Sequence, residues 1–214
     1  MTNHFEIKIC GMRREEDILK ADELGVDYVG FVFYEGSPRF ISPVKLAKIL
    51  DRISLSCRKV GVFVNHEREY IEKVTAELGI DIVQLHGDED PQEFCHFPFP
   101  LWRALRQNAS DVYIEAGKWS AERYVLDTGS AEKYGGTGVK GDWDKAALFA
   151  RKYRIMLAGG LSSRNVATAL KKVLPQGVDV SSGVEDRAGC KNHREMENFV
   201  KAVRSMEEEV FYGC

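Results

Sequence analysis

Cys10 ends the run Ile7-Lys8-Ile9, and Asp127 ends the run Tyr124-Val125-Leu126. A thiol and a carboxylate placed where apolar strands open can handle protons once burial or a neighbouring charge shifts their pKa values. The alternatives are plain: Asp127 as a cap or loop anchor, Cys10 as a small core residue, since free cysteine is among the most buried types. Arg39 follows Ser37-Pro38, where a proline-stiffened loop suits a guanidinium that must present its fork to a carboxylate. A solvated loop charge is the alternative there. His86, in Gln84-Leu85-His86-Gly87, has no second histidine or carboxylate at a ligand spacing, so no metal is expected. His66, His96 and His193 read as loop or helix-start residues.

Three glycine clusters lie late in the chain: Gly135-Gly136-Thr137-Gly138, Gly159-Gly160 and Ser181-Ser182-Gly183. Glycine lets backbone N–H groups approach an oxygen-rich ligand, and in that order the clusters favour a phosphate site over mere turns.

The elements that must position these groups alternate. Short apolar runs at 5–9, 28–33, 59–64, 80–85, 101–104, 123–126, 154–157 and 177–180 read as strands. Between them, 15–24, 43–53, 68–78, 91–95, 111–116, 144–150, 164–174 and 193–206 read as helices. Ser42-Pro43 supplies a cap and first-turn proline, and Gly25 and Gly79 stand just past helix ends. Strand–helix units of regular length, about 25 residues each, with no linker and no GxGxxG after the first strand, favour an α/β (β/α)8 TIM barrel over an open doubly wound sheet. Residues 1–214 are expected to form one domain. In such a barrel the site lies at the C-terminal ends of the strands, which adds Asn65 and Arg103 to the strand-end residues.

Thirty basic against 33 acidic side chains leave a net charge of −3, so neither nucleic acid nor an anionic membrane is an expected partner. An anionic small molecule must be held by local groups. Five scattered cysteines without a CxxC pair point to a reducing compartment and no structural zinc. No signal-peptide core precedes the first strand and no apolar stretch reaches about 18 residues, so a cytoplasmic protein is expected.

With these residues placed, the chain closely resembles the phosphoribosylanthranilate isomerases of tryptophan biosynthesis. The resemblance rests on Lys8-Ile9-Cys10-Gly11, Ser37-Pro38-Arg39, Gly61-Val62-Phe63-Val64-Asn65, Val83-Gln84-Leu85-His86-Gly87, Asp127-Thr128, Leu157-Ala158-Gly159-Gly160-Leu161 and Asp179-Val180-Ser181-Ser182-Gly183-Val184-Glu185. It also includes Gly30-Phe31-Val32-Phe33 and the 135–138 glycines with Asp142-Trp143, so it runs from the first strand to the eighth.

The resemblance implies an Amadori rearrangement of a phosphosugar without metal or redox cofactor, in a monomer or homodimer. It implies Asp127 as general acid, Cys10 as general base and Arg39 at the anthranilate carboxylate. His86 joins the substrate-binding set, and Gly159, Gly160, Ser181, Ser182 and Gly183 hold the phosphate. Two positions depart from the family pattern: Asn192 stands where an aspartate is common, and Gly141 where a phenylalanine precedes Asp-Trp.

Another phosphosugar barrel would carry a strand-1 carboxylate or several metal ligands, and a catalytically silent barrel would have no need of both Cys10 and Asp127. The implied roles also invert the ordinary protonation order. With usual pKa values of about 3.9 and 8.5, about one aspartate in a thousand and one thiol in thirty are correctly protonated at pH 7, a combined penalty of about 6 kcal/mol. A cation beside the thiol, from Lys8, Arg39 or another strand-top residue, is therefore expected.

Overall fold

The computed structural model describes residues 4–107, 111–128 and 142–213. Strands β1 (Glu6–Cys10), β2 (Tyr28–Val32), β3 (Arg58–Phe63), β4 (Ile82–Leu85), β5 (Leu101–Arg106), β6 (Arg123–Asp127), β7 (Ile155–Ala158) and β8 (Gly177–Val180) run parallel. They close in chain order, with β8 returning to β1, so the expected barrel is the observed one.

Helices α1 (Glu15–Glu23), α2 (Pro43–Leu50), α3 (Arg68–Leu78), α4 (Val112–Gly117), α5 (Trp143–Ala150), α6 (Val166–Val173) and α7 (His193–Glu207) follow the strands. Their ends obey local chemistry. Ser42 accepts from the Lys45 amide with Pro43 in the first turn, and Gly79 closes α3 at φ 57°, in the left-handed region. Asn192 caps α7 by accepting from the Glu195 amide, a role that aspartate performs equally well.

The helix expected at 91–95 is a correction. Those residues form turns, with Phe94, Cys95 and Phe97 amides donating three residues back to Pro91, Gln92 and Phe94. Pro98 and Pro100 bias the residues before them away from helix, so an α-turn started at Pro91 cannot propagate. Instead Phe94 is buried against Phe97 and Trp119, filling the space a helix would occupy. β4 starts two residues later than expected because the Ile80 amide still donates to Thr75, closing α3. β5 runs on to Arg106, which places Arg103 inside the strand and not at its end.

Strand alternation splits the core in two. One set, with Ile7, Ile9, Val29, Val83 and Leu126, packs outward against the helices. A smaller set, Tyr28, Val60, Ile82, Trp102, Val125 and Met156, fills the barrel interior. At the N-terminal floor Arg123 is almost fully buried, pairs with Glu6 and lies 5.0 Å over the Trp102 ring. The Tyr28 hydroxyl donates to Glu6 at 2.8 Å, and burial pushes the phenol up to about 12. Large side chains and a buried ion pair thus block this end, and the polar interior lies at the opposite one.

After β8 comes an unexpected hairpin, β9 (Glu185–Arg187) paired antiparallel with β10 (Cys190–Lys191). It is pinned from behind by α1: the Asp17 carboxylate takes two bonds from Arg14, and Arg14 Nη2 also donates to the Lys191 carbonyl at 2.9 Å. His193 completes this knot on Asp17 at 3.0 Å, which is the structural role expected of it.

Candidate active site

A cleft of about 790 Å³, including its open mouth, occupies the C-terminal end of the barrel. Cys10, Arg39, His86 and Asp127 line it, as do Gly159, Gly160, Ser181 and Ser182. The expected set is thereby brought together, apart from Gly183, which lies behind the wall. A Cβ there would stand 1.8 Å from the Leu161 carbonyl oxygen. Gly183 therefore lets the loop after β8 abut the loop after β7, the two segments expected to hold a phosphate. Gly135, Gly136, Thr137, Gly138 and Gly141 lie outside the described residues.

Cys10 is register partner of Gly30 on β2, and a Cβ on Gly30 would come within 2.7 Å of the Cys10 sulfur. The absent side chain is what makes room for the thiol. Two residues earlier, and so on the same strand face, Lys8 is wholly buried. Its Nζ donates to Asp179 Oδ2 at 2.7 Å across the β1–β8 pair, in which Lys8 and Asp179 are register partners. Burial drives the Cys10 thiol up, and the Asp179 charge adds to this. Lys8 and Lys191 pull it down, and the net direction is upward. The cation expected beside the thiol is therefore a pair, Lys8 and Lys191, with Arg39 engaged elsewhere.

Lys191 reaches the site from β10. Its Nζ donates to the carbonyl oxygens of Cys10 at 2.6 Å and Ser181 at 3.1 Å, and to Glu185 Oε1 at 2.8 Å. Burial lowers its pKa while Glu185 holds it up. Glu185 in turn grips Arg39, accepting from Nε at 3.0 Å and from Nη2 at 2.7 Å. Buried though it is, its carboxyl sits below the usual glutamate range because Arg39 and Lys191 both donate to it. The Arg39 stem lies over Gly11, where a Cβ would meet Cδ at 2.6 Å.

His86 is held neutral. Burial takes its pKa down to about 3, and the charges of Lys8, Arg103 and Arg106 add to that. Gln84 Nε2 lies 3.1 Å from His86 Nδ1; an amide nitrogen only donates, so the ring proton resides on Nε2. Such an imidazole offers a hydrogen bond without a charge.

Asp127 ends β6 as expected and is buried at the cleft wall, and its charge reaches Asp179, whose carboxyl is raised chiefly by burial. Gly159 and Gly160 have φ of 90° and 63°, which turns the backbone toward the cleft before α6 begins. Arg103 is the strand-end candidate that falls outside the cleft just described: it pairs with Glu89, donates to the Gly87 carbonyl and stacks on Trp119. Asn65 likewise holds a loop, its Oδ1 accepting from the Asp88 amide.

Gln84, Asp179, Glu185 and Lys191 were not singled out as site residues by sequence reasoning, whereas Lys8 was, as a candidate cation beside the thiol. Lys8 and Asp179 had a signal: each stands two residues before a named strand-top residue, and period two puts both on the interior face. Glu185 and Lys191 had no comparable one, since Glu185-Asp186-Arg187 carries no strand pattern.

A thiol, a carboxylate, an arginine and two glycine loops lining one cleft at the C-terminal end of the strands are the arrangement of a (β/α)8 enzyme. Comparison with known proteins narrows this. The profile of N-(5'-phosphoribosyl)anthranilate (PRA) isomerase matches residues 7–202, and the chain belongs to that family. The N-(5'-phosphoribosyl)anthranilate isomerase of Syntrophus aciditrophicus is 39% identical over 201 residues, covering 93% of this chain and 87% of that protein. Among solved structures, the phosphoribosyl anthranilate isomerase of Thermotoga maritima is 36% identical with a TM-score of 0.86, covering 94% of this chain and 99% of that one. A phosphoribosyl anthranilate isomerase in complex with reduced 1-(o-carboxyphenylamino)-1-deoxyribulose 5-phosphate is 34% identical with a TM-score of 0.79, with coverage of 94% and 99%.

Proposed function

We propose that this single barrel converts N-(5-phospho-β-D-ribosyl)anthranilate to 1-(2-carboxyphenylamino)-1-deoxy-D-ribulose 5-phosphate, the activity of its family, with the following division of labour. Asp127 protonates the furanose ring oxygen as the ring opens to a Schiff base. Cys10, as thiolate, removes the hydrogen from C2′, and the enolamine that results tautomerises to the ketone. Both steps are proton transfers, so the remaining residues contribute orientation.

Arg39 takes the anthranilate carboxylate. Glu185 takes the Nε and Nη2 side of its guanidinium, which leaves the Nη1 end of the fork for a second partner. Gly159, Gly160, Ser181 and Ser182 offer backbone N–H groups to the phosphate, with Gly183 holding their loops together, and neutral His86 donates through Nε2 to the substrate between these anchors. The observation that carries the reading is that Cys10 and Asp127 line one cleft between an arginine and two glycine loops.

The test is turnover of the purified chain, followed by loss of substrate fluorescence, in wild type, Cys10→Ser and Asp127→Asn. Each variant is expected to lose at least about a hundredfold in kcat, and wild-type turnover in either would refute the assignment.

A further inference from the structure

The proton inventory of this reaction leaves the base at the C2′ hydroxyl unassigned, and the cleft holds an acceptor placed for it. When the C2′ hydrogen has left, the enolamine carries a hydroxyl on C2′; forming the ketone adds a proton to C1′ and takes one from that hydroxyl. Cys10 can return its proton to C1′, and the hydroxyl proton needs a base at C2′: either the carboxylate that Asp127 became when it protonated the ring oxygen, or another group placed for it.

Among the described residues, the buried side-chain oxygens without a hydrogen-bond partner are Thr75 Oγ1, Gln84 Oε1 and Asp179 Oδ1. Gln84 and Asp179 line the cleft, and of these only Asp179 can take a proton. Asp179 is 92% buried, at 8% exposure, and Lys8 fixes it through Oδ2, which leaves Oδ1 as an oriented acceptor. Buried polar atoms are rarely left unmatched unless a ligand completes them.

We infer that Asp179 Oδ1 accepts the C2′ hydroxyl of the substrate and takes its proton as the ketone forms. The inference rests on the reaction proposed above and adds a catalytic residue to it. The balance closes: Asp127 loses one proton to the ring oxygen, Asp179 gains one from the C2′ hydroxyl, and Cys10 ends as it began. One transfer from Asp179 to Asp127 resets the site. The two carboxylates already influence one another, the Asp127 charge raising Asp179 in the same direction as burial does, which favours a single proton shared between them.

The experiment compares binding of the reduced product, 1-(2-carboxyphenylamino)-1-deoxyribitol 5-phosphate, with that of its counterpart lacking the C2 hydroxyl. Calorimetry on wild type is expected to show at least about a tenfold preference for the hydroxylated compound, the value of a charge-assisted bond. In Asp179→Asn that preference should fall below about threefold, with kcat down at least about a hundredfold and KM raised by no more than about tenfold. A wild type that does not discriminate, or a variant that discriminates equally, overturns the inference.

Should the asparagine variant fail to fold, Asp179→Glu keeps a charge beside Lys8; wild-type kcat in that variant overturns the inference as well, and a loss of at least about tenfold at unchanged melting temperature upholds it. Cys10→Ser and Asp127→Asn in parallel separate the two levels. If they turn over normally the proposed reaction chemistry fails, whereas if they are dead and Asp179→Asn is normal only the role of Asp179 fails.

Discussion

Lys191→Met removes the buried ammonium that ties the hairpin to the first and last strands. Its Nζ serves three acceptors, the Cys10 carbonyl, the Ser181 carbonyl and the Glu185 carboxylate, and its side chain is fully buried. Methionine fills the same volume but satisfies none of them. Breaking a buried ion pair by removing one partner costs about 3–5 kcal/mol. Glu185 keeps Arg39, so the low end, about 3 kcal/mol, applies; for a chain of this size that lowers the melting temperature by about 6–12 °C. The same change removes one of the two cations that hold the Cys10 thiol down. The thiol pKa should rise further, and the ascending limb of the kcat–pH profile should move up with it. Thermal melting followed by circular dichroism, and the pH dependence of iodoacetamide alkylation of Cys10, measure the two effects separately. A melting temperature within about 3 °C of wild type, together with an unmoved alkylation profile, would show that Lys191 neither braces nor activates the site.

Two further outcomes are expected. Arg39→Ala leaves a substrate charge unpaired and should lower kcat/KM by about 2–4 kcal/mol, while a substrate built on aniline, without the carboxylate, should lose little; equal losses on both would remove the carboxylate clamp. His86 supplies a pH signature. Its pKa in the folded chain, about 3, lies below its ordinary value of 6.5, so the unfolded chain takes up the proton first as pH falls. The stability contributed by the neutral ring is complete above pH 6.5 and is lost progressively between 6.5 and 3. The loss amounts to about 2 kcal/mol at pH 5. Urea titrations at pH 7 and pH 5 should therefore differ by that amount more in wild type than in His86→Asn, and identical differences would refute the buried neutral imidazole.

The barrel was legible because parallel strands buried on both faces write themselves as short apolar runs, and Tyr28–Val32 or Ile155–Ala158 cannot be mistaken for surface helix. Cys10, Asp127 and the glycine loops were legible as polar or flexible residues where those runs stop. The segment 91–95 was not, because Pro91 can open a helix while Pro98 and Pro100 keep its turn from propagating. Nor was the wiring. Arg39 meets Glu185 from 146 positions away, and the hairpin that delivers Lys191 is too short and too charged to carry a periodic signal. Contacts of that separation are set by closure of the barrel, which no local pattern encodes.

The ion pair between Lys8 and Asp179 spans the seam where the first strand meets the last, 171 residues apart in the chain. During synthesis Lys8 emerges early and has no acceptor until β8 has been made and docked. Sliding β8 past β1 by one residue would swing Asp179 to the opposite face and strand the ammonium in the interior. The pair therefore works as a register key: the ring cannot close out of step without a buried uncompensated charge. Because the proposed thiol base sits two residues along from that key, a nascent or truncated chain lacking β8 has no partly working site, and correct closure and catalytic competence arrive together.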